Sequence, residues 1–168
     1  MTLQPPVLQK ITVKRILDES PDLRDLGRYS ETPDTKSKDE IVIDRVARNE
    51  RLERFEYPYF IAANVENMEQ ALENYERMRQ YIRGELCDFG VQAFASLKLR
   101  VQPGNYSMFQ TLHSGGLWGL SSDDPEYIKQ EAKNQIDELM DVLKAFGIAL
   151  PQGGVEIKYM DKDTGEAW

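Results

Sequence analysis

The residue types most able to do chemistry lie together in the segment His113-Ser-Gly-Gly-Leu-Trp-Gly-Leu-Ser-Ser-Asp-Asp124. Its histidine and serine, His113 and Ser114, are the pair that nucleophilic catalysis uses when a third group orients the base. However, neighbouring residues of a strand point to opposite faces, and no Gly-x-Ser-x-Gly turn surrounds Ser114. We therefore expect His113 to be a hydrogen-bonded packing residue, and no residue is assigned a catalytic role.

The glycines of this segment allow two interpretations. Their backbone N–H groups, placed ahead of a helix, could hold an anion. The lysine of a phosphate-binding loop is missing, and Asp123 and Asp124 would repel an anion at the same helix start. The favoured interpretation is that the glycines permit a bend while Trp118 is buried against the following helix. The alternative is a ligand pocket, whose lining residues would be His113, Ser114, Gly115, Gly116, Trp118 and Asp123.

Metal and cofactor sites are not predicted. One cysteine and one histidine cannot form a typical structural zinc site, and no Asp-x-Asp-x-Asp-Gly loop for calcium is present. The single cysteine, Cys87, excludes an intramolecular disulfide and is typical of a reducing compartment. The first residues lack the basic and apolar regions of a secretion signal, and no run approaches the ~18 apolar residues of a membrane span. A cytoplasmic protein is expected.

The charge distribution favours a protein partner. The formal net charge is −8, which argues against a basic nucleic-acid-binding stripe and against an anionic membrane surface. Residues 121–168 hold 11 acidic against 5 basic side chains, so the excess is C-terminal. Acidic fields steer basic partners. The predicted partner-binding residues on the second helix are Glu131, Asp137, Glu138 and Asp141.

Hydrophobic periodicity predicts the elements that hold these residues. Apolar residues three or four apart predict a first helix over 65–83, which Gly84 ends. Strict alternation predicts a hairpin of strands 88–102 and 106–113, with Pro103-Gly104-Asn105 as its turn. A second helix is predicted over 124–146, with Pro125 in its first turn.

The order of these elements predicts an α+β fold. It consists of a small antiparallel sheet built on the central hairpin, with both helices packed on one face. Residues 1–57 are expected to be an extended, charged and partly ordered arm, with short strands near 11–16 and 41–46. Residues 58–160 are expected to form a single domain that ends in another short strand, and 161–168 a frayed acidic tail.

Four segments carry a resemblance to a known family. They are Asn74-Tyr-Glu-Arg-Met-Arg-Gln-Tyr-Ile-Arg-Gly84, Phe89-Gly-Val-Gln-Ala93, Ser114-Gly-Gly-Leu-Trp-Gly119 and Leu143-Lys-Ala-Phe-Gly147. Together they resemble a family of uncharacterised proteins carried on bacteriophages, plasmids and integrative elements. The likeness covers most of the chain and is weak between 31 and 56. It implies an accessory role in a mobile element. One departure is Ser121, where the family usually has a glutamate.

Two main functions are compatible with these observations, and a self-associating structural module that uses the exposed edge of the hairpin is a third interpretation. The first is a non-catalytic accessory protein that binds a basic host or element-encoded protein through its acidic face. In its most specific form it inhibits a host defence nuclease complex of the CRISPR or restriction type. No direct contact with nucleic acid or membrane is expected, and the oligomeric state is left open. The alternative is a small-molecule-binding protein or enzyme that uses a pocket in the 113–124 segment.

Overall fold

The structure is a computed structural model that describes residues 2–3, 5–48, 57–102, 106–148, 150–151 and 154–168. Its elements, in chain order, are β1 (Thr2–Leu3), β2 (Val7–Leu17), β3 (Gly27–Ser30), β4 (Ile41–Asp44), β5 (Tyr59–Ala62), α1 (Met68–Ile82), β6 (Asp88–Gln102), β7 (Tyr106–His113), β8 (Leu117–Ser121), α2 (Pro125–Ala145) and β9 (Glu156–Asp161). They form two compact units. Residues Met1–Glu19 and Asp88–Trp168 form the first unit, and Ser20–Cys87 form the second.

The first unit is a mixed sheet centred on β6. Strand β2 runs antiparallel to β6 from the Val7–Lys98 pair to the Leu17–Phe89 pair. On the other side of β6, β7 pairs with its second half and β8 with its beginning, both antiparallel. Strand β9 pairs parallel to β2, which makes the sheet mixed.

One face of this sheet is the hydrophobic core of the first unit. Because side chains alternate along a strand, every second residue of β6 points to the same face. The apolar members of that set are buried: Val91, Ala93, Ala95 and Leu97. Helix α2 packs on this face through Ile128, Ala132, Leu139 and Leu143. Each fully buried leucine contributes about 1.5–3 kcal/mol, so α2 is firmly attached to the sheet.

Helix α2 begins where its sequence predicts. The side chain of Asp124 accepts a hydrogen bond of 3.0 Å from the backbone N–H of Tyr127, and Pro125 occupies the first turn. This cap satisfies a donor that the helix itself cannot.

The second unit contains a three-stranded antiparallel sheet in the order β3-β5-β4, and α1 packs against it. Asn67 caps α1 by accepting a 3.0 Å hydrogen bond from the backbone N–H of Gln70. The core combines Phe60 from β5 with Tyr75 and Met78 from α1.

The predicted α+β class, both helices and the central hairpin are confirmed. The turn predicted at 103–105 lies outside the described residues. The packing of the helices is divided between two sheets. Helix α1 packs on the β3-β5-β4 sheet, and α2 packs on the larger one. The spacing of apolar residues indicates which side of a helix is buried and not which sheet covers it, so it could not assign each helix to its sheet.

The predicted arm and tail also differ from the structure. Residues 7–17 are the long strand β2 beside β6, and 27–30 and 41–44 are strands of the second unit. The expected boundary at 57/58 therefore does not coincide with the division into units. The tail folds back, since the Trp168 ring lies 5.6 Å from that of Tyr159 and 5.4 Å from the Arg15 guanidinium.

Candidate functional site

The glycine-rich segment is attached to α2 by its backbone. The N–H of Gly115 donates to Glu138 Oε1 at 3.0 Å, and the N–H of Gly116 donates to Gln135 Oε1 at 2.9 Å. Gly116 has φ = +81°, a conformation that favours glycine. The N–H groups of Gly115 and Gly116 are thus not free to bind an anion, and the acceptor of Gly115 is a carboxylate of the same chain.

Ser114 has a structural role. The residue is 1% exposed, and its Oγ accepts a 3.0 Å hydrogen bond from the backbone N–H of Ala93. Its own backbone N–H donates to the carbonyl of Ala93 at 2.9 Å. Because the hydroxyl is buried and accepts a backbone proton, Ser114 is not positioned to attack a substrate.

His113 is exposed and belongs to a small hydrogen-bonded group. Its Nδ1 lies 2.9 Å from Gln92 Nε2 and 2.9 Å from the Ser114 carbonyl oxygen. Gln92 Nε2 also donates to that carbonyl, at 2.8 Å. The Gln92 amide has two protons, so it can contact both the Ser114 carbonyl and the His113 ring. The His113 ring is thus hydrogen-bonded at the end of β7 while it stays exposed.

The prediction that Trp118 is buried against α2 is wrong. Trp118 is 51% exposed. A Cβ placed on Gly90 would lie only 2.4 Å from Trp118 Cε3, so the indole covers this glycine. Gly90 precedes the buried Val91 in β6, and neighbouring residues of a strand point to opposite faces. The indole therefore lies on the sheet face opposite α2.

The residues proposed for a pocket do not converge. His113 pairs with Phe94 across the strands and so shares the sheet face of Trp118. The Gly115 and Gly116 N–H groups instead point to α2, and Asp123 is exposed in the turn before that helix. The segment connects the sheet to α2, with its polar groups directed to different sides.

The four acidic residues proposed for partner binding lie along α2. Asp137, Glu138 and Asp141 are exposed, and Glu131 is half-buried. Lys144 donates to Asp141 at 2.9 Å, and Asn134 donates to Glu131 at 3.0 Å. In the described part of the chain, the Asp137 side chain makes no hydrogen bond or ion pair. We call these four residues the acidic strip.

Sequence reasoning missed a second surface, on the sheet face opposite α2. Cross-strand pairs share a face, and the pairs Thr12–Phe94, Lys14–Gln92, Lys10–Ser96 and Val7–Lys98 join β2 to β6 there. The pairs Lys98–Phe109 and Phe94–His113 extend the same face to β7. We call it the open face, because α2 is the only helix in the described part of the first unit and covers the other side. The alternation of Phe94, Lys98 and Arg100 with buried apolar residues was the signal that could have found it.

The strongly shifted pKa values belong to ion pairs away from these surfaces. Arg28 donates to the Glu40 carboxylate and lowers its pKa to about 2, with help from the backbone N–H of Lys36. For Asp161, burial acts to raise the pKa. Hydrogen bonds from the Thr164 and Asp163 N–H groups and from Arg15 outweigh burial and lower the pKa of Asp161. Such pairs stabilise the fold.

No group of three His, Cys, Asp or Glu side chains in the described ranges could hold a metal ion. Among the same residues, no helix is long and apolar enough to cross a membrane. Comparisons with protein-family models, with curated proteins and with solved structures give no match to this chain.

Proposed function

We propose that this protein is a non-catalytic accessory protein of a mobile element that binds a basic partner protein through the acidic strip. The observation that carries the proposal is the placement of Asp137, Glu138 and Asp141 on the exposed side of one well-anchored helix. Carboxylates arranged along one side give a local negative field that speeds encounter with a basic surface and disfavours acidic partners.

The acidic strip is carried by a rigid element. Helix α2 has 21 residues, which gives a length of about 30 Å at 1.5 Å per residue. Its apolar side is buried, and the Gly115 N–H fixes the orientation of Glu138. A surface that is already ordered loses less conformational entropy on binding, so a modest number of charges can give useful affinity.

A nuclease of a host defence system is the partner class that fits best. Such enzymes present basic clefts to nucleic acid, and a row of carboxylates on one helix can occupy a basic cleft in place of the nucleic acid. The resemblance to proteins of phages and plasmids supports this choice. The cytoplasm is the compartment in which such a partner would be met.

A ligand pocket or active site at 113–124 has less support. The Ser114 hydroxyl is buried and hydrogen-bonded, and the Gly115 and Gly116 N–H groups are occupied by α2. A substrate at this segment would have to displace α2 side chains before any group became available.

The experiment compares association rates for a captured and purified partner. Asp137→Lys/Asp141→Lys reverses two exposed charges of the strip, and Glu138 is left intact because it also binds Gly115. The matched control, Glu66→Lys/Glu73→Lys, makes the same change in net charge at exposed residues of the second unit. Both variants and the parent are measured by biolayer interferometry at two salt concentrations.

We expect the strip variant to associate at least tenfold more slowly and the control to resemble the parent. The parent's association rate should also fall with salt, because the screening length is about 10 Å at 0.1 M. Equal effects of the two double variants would show that only net charge matters. That result would refute the acidic strip as the binding site.

A further inference from the structure

The open face concentrates basic side chains in an acidic protein. Lys10 and Lys14 come from β2, and Lys98 and Arg100 come from β6. In the described part of the chain, none of these four is within ion-pair distance of a carboxylate. The nearest acidic residue by register is Glu156 on β9, opposite Lys10, and its carboxylate is 3.2 Å from Lys158 Nζ. The face is therefore locally positive.

A cleft lies at the basic end of the open face. It has a volume of about 270 Å³ and is lined by Pro5, Val7, Gln9, Lys98 and Arg100. Two cations at the wall of a concave site suit an anionic group such as a phosphate.

Aromatic side chains run along the same face. Phe109 is 71% exposed and lies opposite Lys98, Phe94 is half-buried, and Trp118 covers Gly90. Phe109 lies beside residue 98 of β6, Phe94 is itself in β6, and Trp118 lies over residue 90 of β6. The three rings are thus spaced four residues apart along that strand. At about 3.3 Å per residue, successive rings are about 13 Å apart along the strand, and the row is about 26 Å long. The Lys14 Nζ lies 4.7 Å from the centroid of the Phe94 ring, so a cation and an aromatic surface already occur together.

We propose that the open face binds a short single-stranded nucleic acid, with phosphates at Lys10, Lys98 and Arg100 and bases stacked on Phe109 and Phe94. Proteins that bind single strands without reading sequence combine a positive surface with stacking aromatic side chains. A row of about 26 Å is of the scale that small single-strand-binding domains cover, which is about 4–16 nucleotides per domain.

A single strand fits this face better than a duplex. The bases of a duplex are stacked on one another and are not available to rings on a sheet.

The net charge of −8 predicts that the protein does not bind nucleic acid, and the proposal departs from that expectation. The net charge is a sum over the whole chain, so it does not describe the charge of one face of the sheet. The proposal does not rest on the proposed function, since it involves neither the acidic strip nor a protein partner.

The test measures fluorescence anisotropy of labelled oligothymidylate and oligouridylate of about 15 nucleotides, with a DNA duplex of equal length as competitor. Lys98→Glu/Arg100→Glu replaces the cations of the cleft by carboxylates, and Phe109→Ala removes the most exposed of the three rings on the open face. The matched control is Lys129→Glu/Lys133→Glu, which makes the same charge change at exposed positions of α2. Thermal unfolding verifies that each variant is folded.

We expect saturable binding that both open-face variants weaken at least tenfold, while the α2 control changes it less than threefold. Because each phosphate contact on a single strand contributes about 0.7 to the salt slope, the Lys98/Arg100 variant should flatten that slope by about 1.4. Phe109→Ala should weaken binding without changing the slope, since stacking releases no counterions.

Three results would overturn the proposal. The first is no saturable binding of either oligonucleotide at about 50 mM salt, where electrostatic binding is strong. The second is equal weakening by the open-face and α2 charge variants. The third is self-association through the open face, detected by sedimentation velocity as a dimer of the parent that Phe109→Ala dissociates.

Discussion

Replacing Gly90 by alanine tests the packing of Trp118 on the open face. The added Cβ would meet the indole at 2.4 Å, closer than two carbon atoms can approach. A buried tryptophan removes about 150–250 Å² from water, so a residue that is 51% exposed removes about 100 Å². At about 25 cal/mol per Å², this packing is worth about 2.5 kcal/mol, which is the most that Gly90→Ala can cost by displacing the ring.

The assay is a double-mutant cycle in urea, followed by far-UV circular dichroism. Gly90→Ala should lower the free energy of unfolding by about 1–2.5 kcal/mol, and Trp118→Ala by a similar amount. In the Trp118→Ala background, Gly90→Ala should be neutral or stabilising by about 0.5–1 kcal/mol, since glycine weakens a strand interior. An equal cost of Gly90→Ala in both backgrounds would mean that the new methyl group meets something other than Trp118, and the assignment of the indole would fail.

Two further predictions concern single contacts. The pKa of Glu40 is lowered to about 2, so its pair with Arg28 stabilises the protein above the ordinary glutamate pKa of 4.5, and this contribution is lost as the pH falls towards 2. Solvent screening reduces it to about 1–2 kcal/mol, and Arg28→Met should remove the largest part of this pH dependence from urea unfolding; an unchanged dependence would contradict the assignment. Glu138→Ala should cost about 1 kcal/mol in thermal unfolding, because Gly115 loses its acceptor, whereas Glu138→Gln should retain most of the stability. Equal losses for the two variants would refute the role of that hydrogen bond.

The spacing of apolar residues predicts those elements in which the spacing is regular over many residues. Helix α1 was expected over 65–83 and is Met68–Ile82, and the two hairpin strands were predicted at 88–102 and 106–113, their observed bounds. Each is specified by its own residues. Strand β2 was harder to recognise because a bulge between Leu8 and Lys10 shifts its alternation, and its partner β6 lies about 80 residues later in the chain.

The candidate site was predictable in its location and not in its orientation. The N–H groups of Gly115 and Gly116 donate to side chains of α2, a contact that the sequence pattern did not indicate. The side to which Trp118 points depends on the irregular register between β6 and β8, where Phe89 pairs with Leu120 and Val91 with Leu117. A shift of one residue exchanges the two faces of a strand, so Trp118 points away from α2 while Leu117 packs towards the core.

Charge segregation across the larger sheet is the property that links both proposals. The acidic strip lies on α2, on the outer side of the helix layer, and Lys98 and Arg100 lie on the opposite face of the same sheet. Side-chain alternation in β6 produces this separation, because its buried residues face α2 while its polar residues face away. Taken together, the two proposals predict that two ligands of opposite charge bind at once without competing for the same residues. Salt should weaken both interactions. Charge reversal at Lys98 and Arg100 should weaken only the binding of nucleic acid. Charge reversal at Asp137 and Asp141 should weaken only the binding of the basic protein.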